Sequence, residues 1–342
     1  MKIVCVGGGT GLPVLLSGLR QVYQHRENVS LTAVVCVSDN GGSSGSLRES
    51  FGIPAVGDLR NCLVALAEGN SPLGDLFQHR LGRGGGLHGH ALGNLVMTAL
   101  CERTGSLCEA VVQAAELLGS WGSVLPSTED MVTLCARFED GAVIRGETQI
   151  TRHARRIGKI WLESRSSYPK AVQPASGLIA ALHSADLIVF GPGSLYTSII
   201  PNLLVPGVAD AVGDSGALKV LVCNLLTQAG ETDGFTASDH LGELQKILGE
   251  RTVGACILNS GSFNGFDSLR TRPVVNDVEQ IRALGVRPVL ADVVDQEISD
   301  IRHDPVKLAV TIAELASEKQ TACEWEPELC STLEQEALLA FG

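Results

Sequence analysis

Apolar residues in this chain fall into short, nearly unbroken runs, separated by stretches where they recur every three or four positions. KIVCV at 2–6, LTAVVCV at 31–37, DLIVF at 186–190, KVLVCN at 219–224 and VGACIL at 253–258 are the runs. Continuous rather than alternating hydrophobicity is what strands buried on both faces require. A last strand is expected near 287–291. LPVLLSGLRQVY after the first run and GDLRNCLVALAE after the second have helical spacing, as do segments near 72–82, 90–118 (broken at Gly105) and 305–317. Strands alternating with helices predict an α/β protein with a doubly wound, mostly parallel, Rossmann-like sheet.

Residues 131–150 break this rhythm. VTLCARF and AVIRGETQI alternate, with Asp140-Gly141 between them, which predicts a small antiparallel hairpin inserted in the α/β body. Its edge offers a surface for a homodimer. Residues 1–318 read as a single domain. Residues 319–342, acidic and weakly patterned, read as a C-terminal tail.

Composition narrows the field of partners. The 342 residues are 44% hydrophobic, 19% charged and 4% aromatic, and the formal net charge is −12. A negative field disfavours the phosphate backbone of a nucleic acid, and no nucleic-acid partner is expected. Small phosphorylated ligands remain, because loop amides and a few arginines can hold phosphate locally. The ten cysteines contain no CxxC pair and several lie inside the apolar runs, as buried thiols of a reducing compartment do. No apolar run is long enough to span a membrane, so the expectation is a cytoplasmic protein without a membrane partner.

Three glycine-rich segments follow strands, where open α/β sheets bind ligands. They are Gly7-Gly8-Gly9-Thr10-Gly11, the soft loop Asp39-Asn40-Gly41-Gly42-Ser43-Ser44-Gly45, and Gly191-Pro192-Gly193-Ser194. Glycine lets backbone amides approach a ligand, and a helix starting there turns its positive end toward an anion. The alternative is glycine for packing alone. Ser194 can also cap the helix that follows it. The first segment begins a GxGxxG pattern but carries Leu12 at the third position, which argues against an NAD-dependent oxidoreductase. There is no GxxxxGK[ST] motif.

Asp39 and Asp58 are the carboxylates of interest. Asp58 either serves the start of its helix or helps hold Mg²⁺ beside ligand phosphates. Arg60 and Asn61 follow on the same turn, where Arg60 can fork onto phosphate or make a structural ion pair. His88-Gly89-His90 is too little for a metal site. His90 and Asn94, four apart, are either a ligand-facing pair or a helix-start cap. Arg152, Arg155, Arg156 and Lys159 read as a solvated face. Glu231, Asp233, Asp239 and His240 follow the KVLVCN strand. Thr236 to Asp239 read as a helix cap, whereas Thr227, Gln228 and Glu231 are harder to explain structurally. No nucleophile triad can be assembled by spacing.

Taken in order, GGGTGL, DNGGSSGSLR with GDLRNCL, HGHALGNL, DLIVFGPGSLYTSIIPNLLV and CNLLTQAGETDGFTASDH make the chain resemble the 2-phospho-L-lactate transferases and the related YvcK-type gluconeogenesis factors, from residue 1 to about 315. The resemblance is to the second branch. It implies a cytoplasmic regulator that binds a nucleotide sugar such as UDP-N-acetylglucosamine and links central carbon metabolism to cell-wall precursor supply and cell shape, with a protein partner the sequence does not identify. The transferase branch implies the alternative, a Mg²⁺-dependent transfer from a nucleotide-activated donor. Many relatives carry Asp-Asp-Gly-Gly where this chain has Asp39-Asn40, which weakens metal-dependent transfer here. No resident cofactor is implied beyond Mg²⁺ carried with the nucleotide. On this resemblance Gly8, Gly9, Thr10 and Gly11 wrap a diphosphate and Asp39 holds a ribose or a metal-bound water. Asn40 and Ser43 contact ligand hydroxyls, and His90, Asn94, Gly193 and Ser194 close the site.

Overall fold

The fold is seen in a computed structural model that describes residues 1–318 except 70, 84, 166–170, 251, 264–270 and 296–300. The tail expected at 319–342 lies outside the described residues. Seven parallel strands form the main sheet: β1 (Lys2–Gly7), β2 (Ser30–Val35), β3 (Ser123–Pro126), β7 (Leu187–Phe190), β8 (Leu218–Val222), β9 (Ala255–Asn259) and β10 (Arg287–Ala291). Their order is β10-β9-β8-β7-β1-β2-β3. Ile3, Val4, Cys5 and Val6 are buried, as are all four residues of β7, which is the burial that unbroken apolar runs predict. β3 is absent from the sequence reading. Its four residues SVLP are too short a run to register and end on Pro126, which a sheet tolerates at an edge.

Helices cover the sheet. The first group comprises α1 (Gly11–Tyr23), α2 (Gly42–Phe51), α3 (Gly57–Leu66), α4 (Pro72–Gln78), α5 (Leu92–Thr104) and α6 (Leu107–Leu118). Residues 305–318 form a further helix that docks on α1, where a β-carbon on Gly18 would lie 1.8 Å from the Pro305 carbonyl oxygen. Of the supposed soft loop, only its first residues are loop, for α2 starts at Gly42. Gly45 is demanded by close approach, since a β-carbon there would sit 2.2 Å from the Asn40 carbonyl oxygen.

The insertion is larger than a hairpin. It holds β4 (Val132–Phe138), β5 (Val143–Arg145), α7 (Glu147–His153) and β6 (Ile157–Ser164), with the antiparallel order β5-β4-β6. The expected second strand stops at Arg145, and Glu147 to His153 are helical with only Ile150 buried. β6 completes the sheet and includes Lys159, the end of the exposed basic run, whose polarity hid the strand. Beyond it come α8 (Leu178–His183), a π-turn at Leu195–Ile199 running into α9 (Ile200–Leu203), then α10 (Val208–Asp214), α11 (Ala237–Leu248) and α12 (Val278–Ala283). Among the described residues no single helix is long and apolar enough to cross a membrane.

The winding reverses at β1. From β1 the chain moves to β2 and β3 on one side, and β7 later returns to its other side. The crevice above the carboxyl ends of β1 and β7 is the topological switch point, where doubly wound sheets take their ligands.

Candidate functional site

A cleft of about 500 Å³ opens at that switch point. Its floor is Gly9, Thr10 and Gly11 after β1 and Pro192 to Ser194 after β7, and its far wall is Asn224 to Gln228 after β8. The first and third loops meet in backbone contact. A β-carbon on Gly11 would lie 2.5 Å from the Pro192 carbonyl oxygen, and Gly9 has φ of +64°, so both glycines are required by geometry. Thr10 is the N-cap of α1 but makes no side-chain capping bond, and Pro13 has no N–H to satisfy. The positive end of this thirteen-residue helix therefore faces the cleft through its own amides.

Asp58 lies in the first turn of α3, yet its carboxylate reaches across to the first loop and accepts the Gly9 N–H at 2.6 Å. Burial pushes the carboxyl up to about 6; the Gly9 bond opposes this, the Asp39 charge adds to it and Arg60 relieves it slightly. Asp39 folds onto its own loop, accepting the Gly41 N–H at 2.7 Å. Asn40 is spent on the insertion, for its Nδ2 donates to Gln149 Oε1 at 2.8 Å and its Oδ1 accepts Thr148 N–H at 3.0 Å. Its place in the structure is a clasp between the second loop and α7.

Ser43, His90 and Asn94 come together. The Ser43 hydroxyl lies 3.0 Å from His90 Nδ1 and accepts from Asn94 Nδ2 at 3.0 Å. Asn94 is buried, and its Oδ1 has no hydrogen-bond partner among the described residues. His88, by contrast, is exposed. Arg60 is buried and donates from Nη2 to Asn61 Oδ1 at 2.5 Å, while its Nε and Nη1 have no hydrogen-bond partner among the described residues. Burial and the nearby Arg80 lower it to about 10.

Ser194 caps the π-turn by accepting Thr197 N–H at 3.3 Å and also donates to the Glu231 carboxylate. Glu231 is buried and takes further bonds from Thr197 Oγ1 at 3.3 Å and Thr151 Oγ1 at 3.4 Å. Burial raises its pKa, and these hydroxyls hold the rise down. Gly193 N–H donates to Asn224 Oδ1 at 3.4 Å, and Asn224 Nδ2 to Gln228 Oε1 at 3.3 Å, so the third loop and far wall are one network. Thr227 is fastened to Arg272 through both backbone and hydroxyl. The rest of the acidic cluster is structural: Thr236 and Asp239 make a capping box on α11, Asp233 accepts Gly230 N–H, and His240 bonds the Thr236 carbonyl. Arg152, Arg155, Arg156 and Lys159 are exposed.

Sequence reasoning missed five residues. Glu147 and Thr151 enter the cleft from α7, a segment read as strand. Glu147 is raised well above the usual carboxylate range by burial and by the charges of Asp39, Asp58 and Glu231. Arg302 and His303 enter from the segment before the last helix, and burial holds the His303 ring near 4, neutral at ordinary pH. Arg48 on α2 is buried and donates to the carbonyls of Val37, Ser38 and Val132, tying β2 to the insertion. A charged side chain inside the glycine-serine segment was the available clue to the last.

Among the described residues no group of three or more His, Cys, Asp or Glu side chains is arranged to hold a metal. The site is thus a crevice at the switch point of a Rossmann-like protein, bounded by backbone amides, hydroxyls and carboxylates. A family model described as 2-phospho-L-lactate transferase CofD matches residues 3–294. A gluconeogenesis factor of Bacillus subtilis is 40% identical over 322 residues, covering 93% of this chain and 98% of that one. That of Halalkalibacterium halodurans is 40% identical over 318 residues, 92% and 96% of the two chains. A crystal structure of a Bacillus halodurans protein superposes with a TM-score of 0.84 at 40% identity, over 91% of this chain and 98% of that one. The chain belongs to the CofD family, in the branch of the gluconeogenesis factors.

Proposed function

We propose that the protein is a cytoplasmic regulator that binds a nucleotide sugar of the UDP-N-acetylglucosamine type and, through a protein partner, links central carbon metabolism to cell-wall precursor supply and cell shape. The observation that carries the binding reading is the uncapped N-terminus of α1, opening on a cleft whose other walls are hydroxyl and amide side chains. A diphosphate suits the helix end and the Arg302 side of the cleft, and sugar hydroxyls suit Ser194, Asn224, Thr227 and Gln228. Calorimetry against UDP-N-acetylglucosamine, with and without Mg²⁺ and with recovery of the ligand, tests this. Saturable binding with intact ligand is expected; no binding, or conversion of the ligand, would refute it.

One observation favours transferase chemistry as a second reading. Four carboxylates crowd together, for the charge of Asp39 raises the pKa of Asp58, and those of Asp39, Asp58 and Glu231 raise that of Glu147. Crowded carboxylates welcome a divalent cation. The donor set does not hold Mg²⁺ by itself, but Asp39 and Asp58 suit an ion that brings phosphate oxygens with it. When bound, such an ion would neutralise phosphate charge. Turnover of a nucleotide-activated donor only with Mg²⁺ would select this reading.

A further inference from the structure

Beside the cleft lies a second hollow of about 400 Å³, sharing Thr10, Val14, Arg302 and His303 with it. Its own lining is Pro13, Ser17, Asp295 and Pro305, together with Asn61 and Gln78. The polarity of these two amides is fixed from behind. Arg60 is buried and its guanidinium has only donors, so the Asn61 oxygen must face it, and Nη2 meets that oxygen at 2.5 Å. Gln78 Nε2 donates to the same oxygen at 3.3 Å. Asn61 Nδ2 and Gln78 Oε1 are therefore the groups left over, and neither has a partner among the described residues. The cation behind Asn61 polarises its amide and makes Nδ2 a better donor.

We infer that this hollow is the nucleobase subsite and that Asn61 and Gln78 are its specificity-determining residues, presenting a donor beside an acceptor to the carbonyl and N–H edge of a uracil-type ring. The inference rests on the proposed nucleotide ligand. The two proline faces and Val14 supply flat apolar walls for the ring, while the amide pair meets its edge. The shared residue Thr10 then lies where base-ribose and sugar portions diverge, with the diphosphate over the start of α1.

Two variants test it without threatening the fold. Asn61→Asp keeps an oxygen toward Arg60 but turns the donor in the hollow into an acceptor. Gln78→Glu alters an exposed side chain by one atom. Affinities for UDP-N-acetylglucosamine and for inorganic pyrophosphate are measured in parallel. Both variants are expected to weaken UDP-N-acetylglucosamine by about tenfold or more, because a mismatched polar group in a ligand site is costly. Pyrophosphate, which carries no base, should bind as it does to the unaltered protein. The subsite is overturned if either variant binds UDP-N-acetylglucosamine like the unaltered protein, or if pyrophosphate affinity falls in step. If the unaltered protein binds no uridine nucleotide at all, the underlying ligand reading fails instead, and the subsite with it.

Discussion

Asp58 lets the electrostatics of the site be tested without any ligand. Its carboxyl is held at about 6 against an ordinary value of 3.8. A carboxyl raised in this way binds its proton more tightly folded than unfolded. Its stabilising contribution is complete below pH 4 and is lost as pH rises through about 6. The gap corresponds to about 3 kcal/mol, at about 1.4 kcal/mol per pKa unit. Asp58→Asn removes the charge while its carbonyl oxygen still accepts the Gly9 N–H. The value of about 6 already includes the Gly9 bond, which favours the charged form. The variant should therefore be about 3 kcal/mol more stable than the unaltered protein above pH 7 and no more stable at pH 4. Urea unfolding from pH 4 to 8 reads this as a midpoint difference that opens between pH 4 and 6. Glu147 is lifted for related reasons, so both proteins lose stability with pH, and the difference between them reports Asp58 with its coupling. Parallel stability profiles over the whole range would refute the reasoning, because Asp58 would then be titrating as a solvated acid.

Gly11→Ala should destabilise the protein by about 2 kcal/mol or more, since its β-carbon has only the Pro192 backbone to displace; an unchanged thermal midpoint would contradict the contact. Gly9→Val forces a β-branched residue to positive φ at the helix end, and calorimetry should show loss of nucleotide-sugar binding. Ser194→Ala removes both the cap of the π-turn and a donor to Glu231. It should cost about 1–2 kcal/mol in urea unfolding near neutral pH, with the deficit shrinking as acid protonates Glu231. Asn40→Leu cuts the clasp to α7 and should raise amide hydrogen exchange at residues 147–153 while leaving β1 and β7 protected.

Much of the fold was legible because buried parallel strands announce themselves. Five of the seven main-sheet strands appear as unbroken apolar runs, and RPVLA at 287–291 was placed to the residue. β3 and β6 escaped for opposite reasons, one being too short and the other too polar. The loops were legible as well, since glycine at Gly9 and Gly11 answers to φ and to contact distance rather than to composition. Roles were harder to read. Asn40 stands in the expected loop and Asp58 at the expected helix start, but what they touch depends on chain 109 and 49 residues away. Glu147, Arg302 and His303 carry no local motif and reach the cleft only because tertiary structure brings them there.

The insertion explains why those distant residues arrive in fixed positions. Leu134, Ala136, Phe138, Ile150, Ile157 and Ile160 make a second apolar cluster, but Leu195, Tyr196, Ile200 and Phe235 of the main body complete it. The small sheet thus has no core of its own and cannot move as an independent unit without exposing that cluster. Arg48 adds a buried cation that joins the exit of β2 to the start of β4, and Asn40 joins the same loop to α7. Glu147 and Thr151 are consequently held against the cleft by contacts to the main body and to the second loop. A ligand that altered the charge state of Glu147 or Glu231 would change the electrostatic balance between insertion and body directly. The Thr151–Glu231 hydrogen bond is the direct link between α7 and the chain after β8 that carries this balance.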